Sequence, residues 1–152
     1  MLVKTKGAAI VGMDAITIHV EVNVSMGQGY CIVGLADSAV RESLDRTESA
    51  IKANGFHMPR TKVVINLSPA DIKKSGAAFD LPIAIGILAA SEQISPINLL
   101  DQYLLMGELG LDGQLQPIKG VLAMAMQAKA SGQAGIIIPI QNAEEALSLI
   151  HI

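Results

Sequence analysis

Tryptophan is absent from this chain, and phenylalanine and tyrosine occur twice each, so aromatics make up 3% of its 152 residues. The core must therefore be packed from Ile, Leu, Val, Ala and Met, and no platform of rings is on hand to stack nucleic-acid bases. Cysteine occurs once, at Cys31. A single thiol closes no internal disulfide, and its apolar neighbours read it as a small core residue in a reduced, cytoplasmic setting. The opening MLVKTKGAAIVG lacks the apolar h-region of a secretion signal. No apolar run exceeds Leu81–Ala90, which is too short to span a bilayer and carries Pro82 and Gly86. A soluble protein with no membrane partner is expected. Charge is scarce as well: a net charge of −3 and a pI near 5.5 give no bulk case for nucleic-acid binding, though a local basic patch stays open.

Several chemistries lack their motifs. No GxxxxGK[ST] occurs to cradle a nucleoside triphosphate, and no CxxC, HExxH or GxSxG appears. The histidines, His19, His57 and His151, are too scattered to form a metal-ligand spacing. No cofactor and no metal is expected in this chain.

What is present reads as one domain, able to bury roughly two-thirds of its unfolded surface. Residues 2–12 are β-prone, and Gly12-Met13-Asp14 marks a turn. Ile16, Ile18, Val20, Val22 and Val24 then alternate with polar residues, the pattern of a half-buried strand with His19 on its wet face. Tyr30–Gly34 reads as a third strand, completing a β-meander. A helix is expected from Asp37 or Ser38 to Asn54, with Val40, Leu44, Ala50 and Ile51 inward and Gly55 as its stop. Its outer face pairs Arg41–Asp45, Glu42–Arg46 and Glu48–Lys52 at i,i+4, and reads as solvated; phosphate contact by Arg41 or Arg46 is the other reading. Val63–Leu67 reads as a buried strand, Ser91–Asn98 as a polar link, and Leu99–Gly107 as a helical turn followed by a strand. Leu109–Leu115 is expected to form a hairpin on Asp112-Gly113. Then come a helix from Ile118 to Ser131, a buried strand Ile136–Pro139, and a last helix, Ala143 to about Leu149, capped by Asn142. Strands first and then alternating β and α indicate an α/β (α+β) two-layer sandwich.

The chain is organised around Ser68–Ala90, SPADIKKSGAAFDLPIAIGILAA. Ser68-Pro69 ends the preceding strand, and a basic, glycine-broken loop carries Lys73, Lys74 and Ser75. Asp80 then reads as the N-cap of a helix apolar on nearly every side, hence buried. Lys73 and Lys74, with Arg60 and Lys62 nearby, are candidates for contacts to DNA phosphate or an acidic neighbour; solvated loop charge is the plainer reading.

Three stretches, VEVNVSMGQGYCIVGLADSAVRESLDRTESAIKANGFHMP, NLSPADIKKSGAAFDLPIAIGILAAS and GELGLDGQLQPIKGVLA, resemble in order the N-terminal domain of the ComM/YifB family of magnesium-chelatase-like AAA+ ATPases. The resemblance covers essentially the whole chain. It implies a ribosomal S5 domain 2-like fold, similar to the proteolytic domain of Lon and the C-terminal domain of RadA. It also implies an AAA+ motor C-terminal to this domain, absent from this chain, which would hold ATP and Mg2+ and assemble as a homo-hexamer. Lon-type proteases use a Ser–Lys dyad. Aligned on Lys74 and Gly76, the serine position falls at Ala78; aligned on Pro117 and Gly120, the lysine position falls at Leu122. Neither side chain can take part in acyl transfer. Ser75 and Lys119, each three residues upstream, are the only substitutes, with Lys119 on roughly the helix face of Leu122; otherwise Ser75 is a loop hydroxyl bonding nearby backbone. The resemblance therefore implies a non-catalytic accessory domain supporting assembly and DNA engagement in recombination or natural transformation. An ATP-dependent Ser/Lys peptidase and a pure oligomerisation scaffold are the alternatives.

Overall fold

A computed structural model describes residues 1–95 and 97–147. Two long strands, β1 (Leu2–Val11) and β2 (Asp14–Ser25), form an antiparallel hairpin paired from Leu2↔Asn23 to Val11↔Asp14. The two-residue alternation holds as read: Ile18, Val20 and Val22 are fully buried, and His19 between them is exposed.

The meander reading fails at the third strand. Strand β3 (Tyr30–Val33) does not pair with β2; it lies parallel to β4 (Lys62–Ser68), which inserts antiparallel to β2. The physical reason is the helical crossover between β3 and β4, because a helix-containing connection returns the chain parallel to its starting strand. Beyond β1 lie β5 (Tyr103–Leu105) and β8 (Gly135–Ile137), both parallel, giving the order β3-β4-β2-β1-β5-β8. Strand β8 is an outer strand with Ile137 exposed, not the buried strand expected. A separate small hairpin joins β6 (Glu108–Leu109) to β7 (Leu115–Gln116), with the turn on Asp112-Gly113 as expected.

The crossover helix is two pieces, α1 (Ser38–Arg41) and α2 (Ser43–Ala53), broken at Glu42. Asp37 caps the first, its Oδ1 accepting from Val40 N at 2.8 Å. Helix α3 (Asp80–Ala90) packs on the apolar face of β1 and β2 and is buried nearly all round, as its composition requires. Thr5 Oγ1 ties it to the sheet by donating to Pro82 O at 2.9 Å. Helix α2 backs α3. Helix α4 (Val121–Ala130) packs against β2, where Gln127 Nε2 donates to Thr17 Oγ1 at 3.1 Å.

The two-layer α/β architecture is thus the one the sequence implies. Two boundaries move, and a third cannot be compared. Helix α4 starts at Val121, leaving Ile118 and Lys119 in the approach loop. Ile97–Gln102 forms a 3-10 helix between the link and β5. Helix α5 spans Ala143–Leu147, and the expected continuation to Leu149 lies outside the described residues, as do Pro96 and His151. Cys31 is exposed on β3, not part of the core, because it alternates with Ile32, whose side chain takes the buried face.

Candidate functional site

The loop after β4 is held by a residue that the sequence presents as solvated. Lys74 is fully buried. Its ammonium donates to the carbonyl of Gly34 at 2.6 Å and to that of Pro69, while its backbone N donates to Leu35 O at 3.0 Å and its carbonyl accepts from Asp37 N at 3.0 Å. Burial pushes the ammonium below the ordinary lysine value, against the opposing attraction of Asp71. Glycine is required at the partner position. Gly34 has φ 109, and a Cβ there would lie 2.1 Å from Leu67 O. Lys74 is therefore a structural clamp and leaves the set of candidate phosphate contacts.

The carboxylate expected to cap α3 does something else. Phe79 is the N-cap, and Asp80 is fully buried within the first turn. Its Oδ1 accepts from Ser43 Oγ at 2.5 Å and Arg46 Nη2 at 3.0 Å; its Oδ2 accepts from Arg46 Nε at 2.7 Å and Leu109 N at 3.0 Å. The Asp80 hydrogen bonds hold the Arg46 guanidinium still further into its protonated range, burial opposing them. Arg46 is accordingly not the solvated residue of an outer helix face: its Glu42 partner, at 3.5 Å, is the exposed half of a pair whose other partner is buried. One carboxylate thereby joins α2, α3 and the β6–β7 hairpin.

Between the pinned loop and α4 lies a cavity of about 440 Å³. Ala8, Ala9 and Ile10 of β1 form one side, Lys73 and Ser75 to Phe79 the second, and Pro117 to Lys119 with Met124 the third; Met106 and Glu108 also line it. Asn142 fixes the third side. It directly precedes α5, and its side chain reaches the loop before α4: its Oδ1 accepts from Ile118 N at 3.0 Å and its Nδ2 donates to Ile118 O at 2.8 Å.

The candidate residues separate into three groups. Lys73 and Ser75 share this cavity with Ala78 and Lys119, and Lys73, Ser75 and Lys119 are exposed. Leu122 is not among the lining residues; its backbone N donates to Glu145 Oε1 at 3.1 Å. Lys119 precedes the helix and so does not share a helix face with Leu122. The Ser75 hydroxyl makes no hydrogen bond to the described residues, so it is not the backbone-bonded hydroxyl expected. Lys74 is internal. Arg60 and Lys62 are exposed at the start of β4, paired at Ser25↔Lys62, whereas the basic loop follows its end at Ser68. Six strand residues at about 3.3 Å each separate them by about 20 Å. The proposed basic cluster is therefore two separate sets of cations.

Sequence reasoning missed Asp80 as a hub, Glu108, Asn142 and the β1 side of the cavity. A carboxylate immediately before an all-apolar helix was the available signal for Asp80; its partners lie too far away in sequence to be read.

Among the described residues no group of three or more His, Cys, Asp or Glu side chains is placed to hold a metal ion. The phosphate-cradling GxxxxGK[ST] motif does not occur in the sequence either. No helix among them is long and apolar enough to cross a membrane.

Residues 20–142 match the family described as subunit ChlI of Mg-chelatase. The chain is 44% identical over 144 residues to the uncharacterized protein YifB of Escherichia coli, covering 94% of this chain and 28% of that protein. It is 42% identical over 139 residues to competence protein ComM of Haemophilus influenzae, covering 91% of this chain and 27% of that protein. A more distant likeness, 26% identity over 161 residues, links it to Lon protease 2 of Bacillus subtilis, covering 95% of this chain and 29% of that protein, and fits the Lon-like fold. The chain spans less than a third of the length of these relatives.

Proposed function

This chain belongs to the family of subunit ChlI of Mg-chelatase, and on that premise we propose that it is a non-catalytic accessory domain working in the cytoplasm N-terminal to an AAA+ motor. In this reading ATP and Mg2+ belong to the motor, and the domain supports assembly, as a homo-hexamer, and engagement of DNA in recombination or natural transformation. That ComM of Haemophilus influenzae is a competence protein supports the biological setting.

The observation that carries the reading is the cavity itself. Within its lining Ala78 contributes a methyl where the Lon-type nucleophile aligns, and Leu122, where the base aligns, is not in the lining. A methyl group cannot attack a carbonyl, and an isobutyl group cannot take up a proton. DNA engagement would fall to the exposed cations Lys73, Arg60 and Lys62, each phosphate contact adding to the salt dependence of binding. Gel shifts of branched DNA over a salt series test this. Lys73→Ala and Arg60→Ala/Lys62→Ala variants should each weaken binding and flatten the salt slope. Unchanged slopes in both would remove DNA from the reading and leave a pure oligomerisation scaffold.

One observation favours the peptidase alternative: Ser75 and Lys119 line the same cavity. A fluorogenic peptide assay of wild type and Ser75→Ala decides it. No turnover is expected from either; turnover abolished by Ser75→Ala would make the domain a Ser/Lys peptidase.

A further inference from the structure

Helix α4 has the composition of a buried helix but lies at the surface. In VLAMAMQAKA only Gln127 and Lys129 are polar. A helix apolar on nearly every side is expected to be enclosed, as α3 is. At 3.6 residues per turn, Val121, Met124, Ala125 and Ala128 form the buried side of α4. The outer arc is left with Leu122, Ala123, Met126, Lys129 and Ala130, and Met126 at its middle is 55% exposed. Beside it the β1–β2 turn carries Met13, 94% exposed. Between turn and helix lies a hollow of about 280 Å³, lined by the small side chains of Ala15, Ala123 and Ala130 and by the two methionines. Its polar lining is Asp14 and Gln127. Small residues beside flexible methionines make a socket next to a knob of matching chemistry.

The charges on this face complement one another end to end. Lys129 stands at its C-terminal end. At the N-terminal end α5 brings Glu144 and Glu145, and Glu145 Oε1 accepts from Leu122 N at 3.1 Å. In an antiparallel pairing of two α4 helices centred on Met126, residue 129 of one copy lies against residue 123 of the other, next to that copy's Leu122. Each Lys129 then arrives at its partner's acidic end, whereas a parallel pairing would set Lys129 against Lys129. We infer that the outer face of α4 binds a second copy of this chain about a two-fold axis at Met126, each Met126 entering the hollow of its partner. Both copies present the same surface, as an isologous contact demands. A helix face about 15 Å long and about 10 Å wide is smaller than the standard interface of about 800 Å² per partner, so isolated domains pair weakly. Such a contact rests on the assembly reading above and extends it: contacts within a closed ring are head-to-tail, whereas a two-fold contact joins one ring to another.

Sedimentation velocity of the 152-residue chain from about 1 µM to about 1 mM tests the contact. A reversible shift from monomer to dimer is expected. Met126→Glu, which sets two carboxylates against each other at the axis, should weaken dimerisation about tenfold or more, and Met126→Leu should pair as wild type. Lys129→Glu should weaken it less, by a factor that shrinks at high salt. Met126 is exposed in the single domain, so its substitutions leave the core intact. In a Cys31→Ser background, Met126→Cys should oxidise to a disulfide-linked dimer. Met26→Cys, at a position 93% exposed beyond the opposite end of β2, should cross-link far more slowly. A monomer at every concentration overturns the contact and removes assembly from the role of this domain. Dimers that persist in Met126→Glu, or that cross-link as readily through Met26→Cys, overturn the α4 contact alone and leave the assembly reading standing.

Discussion

Arg46 grips Asp80 with two nitrogens, Nε at 2.7 Å and Nη2 at 3.0 Å, across 34 positions of sequence. Removing one partner of a buried pair costs about 3–5 kcal/mol, because the other is left uncompensated. Asp80→Ala should fall in that range, since Ser43 Oγ and Leu109 N lose their acceptor too. Glu42→Ala, which removes only the exposed carboxylate at 3.5 Å, should cost about 0.5 kcal/mol or less. Urea midpoints of the two variants test the assignment; similar values for both would show that the buried cluster is not a hub.

Lys74 sets a pH dependence whose sign follows from its burial. Its folded value lies below the ordinary 10.5, so between the two values the unfolded chain binds more protons. Stability must then rise with pH across that window, as the folded ammonium sheds its charge while the amine still donates to carbonyls. Comparing wild type with Lys74→Met by urea unfolding at successive pH values up to 10.5 isolates the contribution. The wild type should gain stability relative to the variant as pH rises. Parallel pH curves would mean that the ammonium is not desolvated.

Gly86 lets α3 approach the sheet. A Cβ at this position would sit 2.6 Å from Val22 Cγ2, inside any contact real side chains make. Alanine is the better helix former by about 1 kcal/mol, but overpacking a filled core costs about 1–3 kcal/mol. Gly86→Ala should therefore be destabilising on balance, and a double-mutant cycle with Val22→Ala should show favourable coupling. A more stable Gly86→Ala would mean that the helix moves away without strain.

Cys31 offers a simple check of which face of β3 meets solvent. As an exposed residue of the outermost strand, it should react with one equivalent of a thiol reagent in the folded chain. Reaction only after addition of urea would mean that Cys31, and not Ile32, takes the buried face of β3.

How much of this was legible in the sequence depends on the range of the interaction concerned. The β1–β2 hairpin, the apolar α3 and the Asp112-Gly113 turn are written in local patterns: a period of two, an all-apolar helix and a turn dipeptide. That Ala78 and Leu122 carry neither nucleophile nor base was equally readable, because residue identity is something no packing can alter. The partner of β3 was not, since strand pairing is chosen by the whole sheet. The fates of Lys74 and Arg46 were not either.

By itself, then, the sequence determined an aliphatic α/β domain of this family, with a methyl where a nucleophile would align. Tertiary structure alone decided which charges face solvent. Lys73 and Lys74 are neighbours of one type in one loop, yet one is exposed on the cavity rim and the other is buried on two carbonyls. The difference is made by the carbonyls of Gly34 and Pro69, which satisfy one ammonium and leave its neighbour to the groove.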